Sequence, residues 1–226
     1  MMNITREQLA AMIDHTNLKA DATEEAIRKL CREAAENHFA MVAINPAQVD
    51  RCRGFLAGTG VHIGACVGFP LGQNTLECKV FEAEDAIRRG ADEVDYVLNV
   101  AELKNGNTEY IEREMQSMAG LCRAHGVISK VIFENCYLTK EEIRTAAEIA
   151  ARVRPDFIKT STGFGTGGAT VEDVRLMKSV VGDLVKVKAA GGIRDTETAL
   201  RMIEAGVERI GTSAGIAIVE GLNDEA

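Results

Sequence analysis

No apolar run in this 226-residue sequence approaches the roughly 20 residues needed to cross a bilayer. Its first stretch, MMNITREQLAAMI, lacks the basic-then-apolar layout of a secretion signal. Positive charge is in deficit as well: 26 Lys and Arg stand against 34 Asp and Glu, a net charge of −8. That balance argues against a nucleic-acid partner, because such binders carry a basic face. A small anionic substrate still fits, since a local cluster of donors can hold one phosphate inside an acidic protein. The six cysteines form no C-x-x-C pair and the four histidines no H-x-x-x-H pair, so neither a zinc site nor a disulfide framework is indicated. The expectation is a chain of the reducing cytoplasm, with free thiols, no membrane contact, no metal and no cofactor.

Linkers, low-complexity tracts and composition breaks are also missing, and no G-x-G-x-x-G turn follows the first apolar run. What the chain has instead is alternation. Short runs rich in Val and Ile recur at 12–16, 39–44, 62–69, 93–99, 129–135, 157–161, 185–189 and 209–213, as parallel strands covered on both faces would. The first is the weakest. Helical stretches separate them: Thr139 with Glu142 spells a capping box, Thr170 with Asp173 resembles one, and Pro46 suits a first turn. Gly90 and Gly206 stand where helices should stop. Between 75 and 90, Leu76, Val80, Phe81, Glu84 and Ile87 share one side, which predicts the packing face of that helix. Eight strand–helix units without a break predict an α/β fold, a single (β/α)8 TIM barrel occupying residues 1–226.

Barrel enzymes work at the carboxyl ends of their strands, and there the sequence places charge where burial is expensive. DFIKTST carries Lys159, and LVKVKAAGGIR carries Lys188 on the next strand. A free lysine has a pKa near 10.4, and lowering it to about 7 takes roughly 4.6 kcal/mol of bias toward the neutral amine. Burial and a second cation nearby supply such bias. Lys159 is therefore expected to be an uncharged nucleophile crowded by Lys188. Asp95, a carboxylate inside the apolar run DEVDYVLN, suits a proton acceptor or a salt bridge to Lys188 or Lys130. Lys186 shares the parity of Lys188, and an ion pair with Glu93 or Glu134 would explain it. Asp14 and Thr160, at strand ends, are candidates for substrate contact. AAGGIRD and GTSAG follow the last two strands, so Gly191, Gly192, Gly211 and Ser213 are the expected phosphate donors, with Arg194 nearby.

Taken together, DHTNLKADAT, VGFPLG, GADEVDYVLN, DFIKTSTGF and VKAAGGIRD resemble the deoxyribose-phosphate aldolase family, in order and over essentially the whole chain. The resemblance implies a metal-free, cofactor-free lyase. Such an enzyme reversibly cleaves 2-deoxy-D-ribose 5-phosphate into glyceraldehyde 3-phosphate and acetaldehyde, in the breakdown of deoxynucleosides. It makes Lys159 the Schiff-base lysine, Asp95 a proton donor or acceptor and Lys188 its partner, and it implies a homodimer. The sequence departs from the family at Ala190 and Ala214, where serines are frequent, and in a tail, EGLNDEA, without the tyrosine some members carry. Another phosphosugar barrel enzyme, transaldolase-like or an isomerase, and a non-catalytic phosphate-binding barrel are the alternatives.

Overall fold

The computed structural model describes residues 4–222. Eight strands run in chain order: β1 (Ile13–Asn17), β2 (Met41–Ile44), β3 (His62–Val67), β4 (Glu93–Val97), β5 (Ile128–Ile132), β6 (Phe157–Lys159), β7 (Lys186–Ala190) and β8 (Arg209–Thr212). Each pairs in parallel with its sequence neighbour, and β1 pairs with β8, so the sheet closes into a barrel. The expected (β/α)8 architecture is the observed one. The weakest sequence signal, β1, is the strand that completes the closure.

The helices are α1 (Arg6–Ala10), α2 (Glu24–Glu36), α3 (Val49–Phe55), α4 (Leu76–Arg89), α5 (Val100–Lys104), α6 (Thr108–His125), α7 (Lys140–Val153), α8 (Val171–Val181), α9 (Thr196–Glu204) and α10 (Gly215–Glu220). The capping box at Thr139 is complete. At α8, Thr170 caps the Asp173 amide, but the Asp173 carboxylate turns to Lys140 at 2.5 Å, so the reciprocal half is not made. Gly90 takes the left-handed conformation that ends α4 and donates its N–H to Ala86 and Ile87. Pro46 opens a short 3-10 turn ahead of α3.

The packing face of α4 differs from the expectation. Leu76, Lys79, Ala83 and Ala86 are buried, while Phe81 is 68 % exposed. The cause lies outside the helix. Lys79 enters the core because its ammonium meets Glu114 of α6 at 2.5 Å and the Val97 carbonyl at 2.8 Å, which rotates Phe81 to the surface. A buried ammonium is tolerated only with such partners.

The main apolar core lies between sheet and helices, with Ile44, Val94, Val131, Ile158, Val187 and Ile210 pointing outward from the strands. Inside the barrel the apolar material is sparse: Met41, Ala43 and Cys66, joined by Leu18 near the mouth and by the Phe157 ring, against which Lys130 and Arg209 lie. Branched aliphatic layers usually fill this space. Here buried charges fill it.

Candidate active site

Strand parity decides which side chains face the barrel axis. On β4, Val94 and Tyr96 face the helices, leaving Glu93 and Asp95 to point inward, both fully buried. Lys130, Lys159, Lys188, Arg209 and Asp14 join them from neighbouring strands. Together they build a closed ring of alternating charge. Glu93 contacts Lys130; Lys130 reaches Asp95 Oδ1 at 2.7 Å; Asp95 Oδ2 takes Lys188 at 2.7 Å. Lys188 then meets Asp14 at 2.5 Å, Asp14 meets Arg209 at 3.2 Å, and Arg209 returns to Glu93. Three carboxylates and three cations alternate around this ring. Lys159 is attached outside it, 2.8 Å from Asp95 Oδ2, so the assembly carries one surplus positive charge.

The three expected catalytic residues thus meet at one carboxylate. Adjacent strands pair Lys159 with Lys188 directly, and their ammonium groups share a single oxygen of Asp95. The charge state of Lys159 corrects the expectation of an uncharged amine. Burial pulls its pKa down, but the Asp95 carboxylate outweighs burial and holds Lys159 above the ordinary lysine value. Burial alone would raise Asp95; Lys130, Lys159 and Lys188 instead hold it well below the usual carboxylate range. Shifts in these directions make Lys159 and Asp95 an ammonium–carboxylate pair. Burial pushes the neighbouring Cys66 thiol up to about 12, so it stays a neutral neighbour.

Lys159 is open to a cavity of about 650 Å3 at the carboxyl end of the barrel. Gly191, Gly192, Gly211 and Ser213 line it, as does Arg194. These are the expected phosphate positions. The loops after β6 and β7 meet backbone to backbone there: a Cβ on Gly168 would lie 2.2 Å from the Gly191 carbonyl oxygen, and Gly191 itself has φ +85°. Gly168→Ala should force these loops apart and raise KM for a phosphorylated sugar about tenfold. The KM of its unphosphorylated counterpart should move far less, and steady-state kinetics on the pair checks this.

Other expectations fail for reasons the geometry makes plain. Thr160 does not face the cavity: its hydroxyl donates to the Ala190 carbonyl and accepts the Ala190 N–H, both at 3.1 Å, bracing β6 against β7. Asp14 is fully buried and is held by Lys188 and Arg209 beneath the cavity. Lys186 is exposed and makes no ion pair among the described residues; its ammonium sits 5.5 Å from the Phe157 ring centroid. Lys130 and Arg209 hold Glu93 instead, and Glu134 accepts the Thr162 N–H and hydroxyl. Ala214 donates its N–H to the Thr212 hydroxyl. The tail expected to lack a tyrosine lies, from residue 223, outside the described residues.

Sequence reasoning missed several cavity residues. His15 on β1 places its Nε2 2.9 Å from Glu33 Oε2 and lines the cavity, as do Lys19 and Lys29. The Phe69 ring centroid lies 5.6 Å from the Lys159 ammonium, and the ring meets Phe164, a cavity residue, edge to face. Both phenylalanines sit in stretches singled out above, VGFPLG and DFIKTSTGF, but nothing in their spacing shows that they meet.

Comparison with known proteins agrees with this geometry. The family described as DeoC/LacD family aldolase matches residues 8–223. A deoxyribose-phosphate aldolase of Lactobacillus acidophilus is 58 % identical over 98 % of this chain and 93 % of its own. One of Bacteroides thetaiotaomicron is 57 % identical over the same shares of the two chains. Among solved structures, a putative deoxyribose-phosphate aldolase of Coccidioides immitis superposes with a TM-score of 0.93 at 36 % identity, covering 97 % of this chain and 87 % of that one. The tetrameric deoxyribose phosphate aldolase of Aeropyrum pernix gives 0.89 at 34 % identity, over 96 % and 91 %. With a lysine-bearing barrel and relatives this similar over nearly its full length, the chain belongs to the DeoC/LacD aldolase family.

Proposed function

We propose that this chain reversibly cleaves 2-deoxy-D-ribose 5-phosphate to D-glyceraldehyde 3-phosphate and acetaldehyde through a Schiff base on Lys159. The observation that carries the reading is a lysine open to the cavity whose ammonium lies 2.8 Å from a carboxylate oxygen shared with a second lysine. Loss of one proton from Lys159 leaves the ring beneath it neutral, so the reactive amine forms without unbalancing the interior.

The amine attacks C1 of the open-chain sugar, and the carbinolamine loses water to give an iminium ion. Asp95 with Lys188 takes the proton of the C3 hydroxyl as the C2–C3 bond breaks, its electron pair flowing into the iminium. Glyceraldehyde 3-phosphate leaves, the enamine that remains is protonated on carbon, and water releases acetaldehyde and the Lys159 amine. Backbone groups at Gly191, Gly192, Gly211 and Ser213 hold the phosphate, with Arg194 at the rim; this sets the distance from phosphate to reacting carbon. Phe69 and Phe164 cover the iminium and keep water from it.

The reading treats residues 1–226 as one catalytic domain in the cytoplasm. No described helix is long and apolar enough to cross a membrane, and all six cysteines are free. It also takes the working form as a homodimer, which light scattering checks. Reduction with borohydride in the presence of deoxyribose phosphate should add the reduced two- or five-carbon fragment to Lys159, located by peptide mass. An isomerase or a simple phosphate binder gives no substrate-dependent adduct, and that result would overturn the reading.

A further inference from the structure

The charged ring has a second appendage, at the far end of the barrel from Lys159. His62 begins β3 at the amino-terminal mouth, its side chain 47 % exposed, and its Nδ1 lies 2.8 Å from Glu93 Oε1. Glu93 contacts Lys130 through its other oxygen, Lys130 reaches Asp95, and Asp95 holds Lys159. An unbroken line of polar contacts therefore joins a solvent-exposed imidazole below the barrel to the reactive nitrogen above it. Nothing in the catalytic scheme uses His62.

We propose that His62 is a positioning residue for the reaction: through Glu93, Lys130 and Asp95, its charge state sets how readily Lys159 gives up its proton. The inference rests on the reading of Lys159 as the Schiff-base amine. A protonated His62 adds a second positive charge to an interior that already carries one too many, and the cheapest relief is loss of the surplus proton at Lys159. It also draws on Glu93, loosening that carboxylate's hold on Lys130 and so strengthening the claim of Lys130 on Asp95. Both effects favour the neutral amine.

The charged groups facing His62 are Glu93 and Asp92, which favour its protonated form, and Arg209, which opposes it; the Glu93 hydrogen bond dominates and raises its pKa above the ordinary histidine value. Unit charges roughly 15 Å apart, at an effective dielectric constant of about 30, couple by about half a pH unit, or threefold.

The experiment compares wild type with His62→Gln, which keeps a polar group at Glu93 but cannot take a charge. The rate of acetaldehyde adduct formation on Lys159, trapped with cyanoborohydride, is read at about pH 6 and about pH 9.5, below and well above the ordinary histidine value. The expected result is a roughly threefold slower rate in the variant at the lower pH and equal rates at the higher. Equal rates at both, or the same loss at both, would overturn the proposal, the latter leaving His62 a packing role only. Proton NMR gives the reciprocal measurement: Lys159→Met removes the surplus charge and should raise the His62 pKa by about half a unit. An unshifted titration would sink the coupling. Should wild type form no adduct at all, the functional reading falls, and the NMR arm still decides whether the two ends of the ring communicate.

Discussion

Lys159→Met is expected to lower kcat/KM for deoxyribose phosphate by about 10^4-fold or more while leaving the protein folded. The loss follows from chemistry: without the amine there is no iminium, and the C2–C3 electron pair has nowhere to go. Retention of the fold follows from the charges. Removing one member of a buried ion pair usually costs about 3–5 kcal/mol, because the partner is left unpaired. Asp95 is not left unpaired here, since Lys130 and Lys188 still contact it. The variant interior holds three cations and three carboxylates in a closed ring, where the wild-type interior carries an excess. Thermal unfolding near neutral pH should therefore match wild type within a few degrees. The alkaline limb should differ. Lys159 has a raised folded pKa, so its contribution is present below the unfolded value near 10.4 and is lost as pH rises through the folded one. The variant should lack that step. A variant that loses activity and unfolds cooperatively at a much lower temperature would show that Lys159 is structural.

The parts of this site that were legible in the sequence are those that break a local pattern. Lys159, Lys188 and Asp95 each interrupt a run of Val, Ile, Phe or Tyr, and parity alone turns them inward. The glycine-rich turns after β7 and β8 were legible because barrel topology fixes where such turns lie. The ring was not legible, although all its members sit in recognised strands. Glu93 and Arg209 are 116 positions apart and meet only because the barrel closes on itself. The sequence therefore showed Lys186 and Glu93 as plausible partners, while the adjacent β5 delivered Lys130 and closure delivered Arg209 to Glu93. Thr160 was misread for a related reason: a hydroxyl at a strand end looks available until the neighbouring strand's backbone takes it. Phe81 was misread because the face of α4 is set by a pairing with α6, which no single-helix pattern contains. The sign of the Lys159 shift was lost in the same way. Two lysines on adjacent strands suggested repulsion, and the geometry put a carboxylate between them.

That carboxylate is where the largest structural effect should appear. In Asp95→Asn, Lys130 keeps Glu93 and Lys188 keeps Asp14, but Lys159 keeps no anionic partner among the described residues. Four buried cations then face two carboxylates, and the loss of stability near neutral pH should be about 3–5 kcal/mol. The acid limb should change with it. Asp95 has a depressed folded pKa, so in wild type it contributes stability above the unfolded value near 3.9 that is lost as pH falls; the variant has no such contribution to lose. The effect on Lys159 runs the other way. With Asp95 neutral, burial and the charges of Lys130 and Lys188 act on it unopposed, and its pKa should drop below the ordinary lysine value. Adduct formation with acetaldehyde at neutral pH should become faster even as cleavage of deoxyribose phosphate becomes at least about 100-fold slower, because the C3 hydroxyl has lost the group that takes its proton. On the proposed reading, Asp95 holds the amine in reserve as an ammonium and also takes the C3 proton once the amine is released. A variant in which trapping and cleavage fell together would mean that Asp95 serves Lys159 alone, and that the C3 proton leaves by another route.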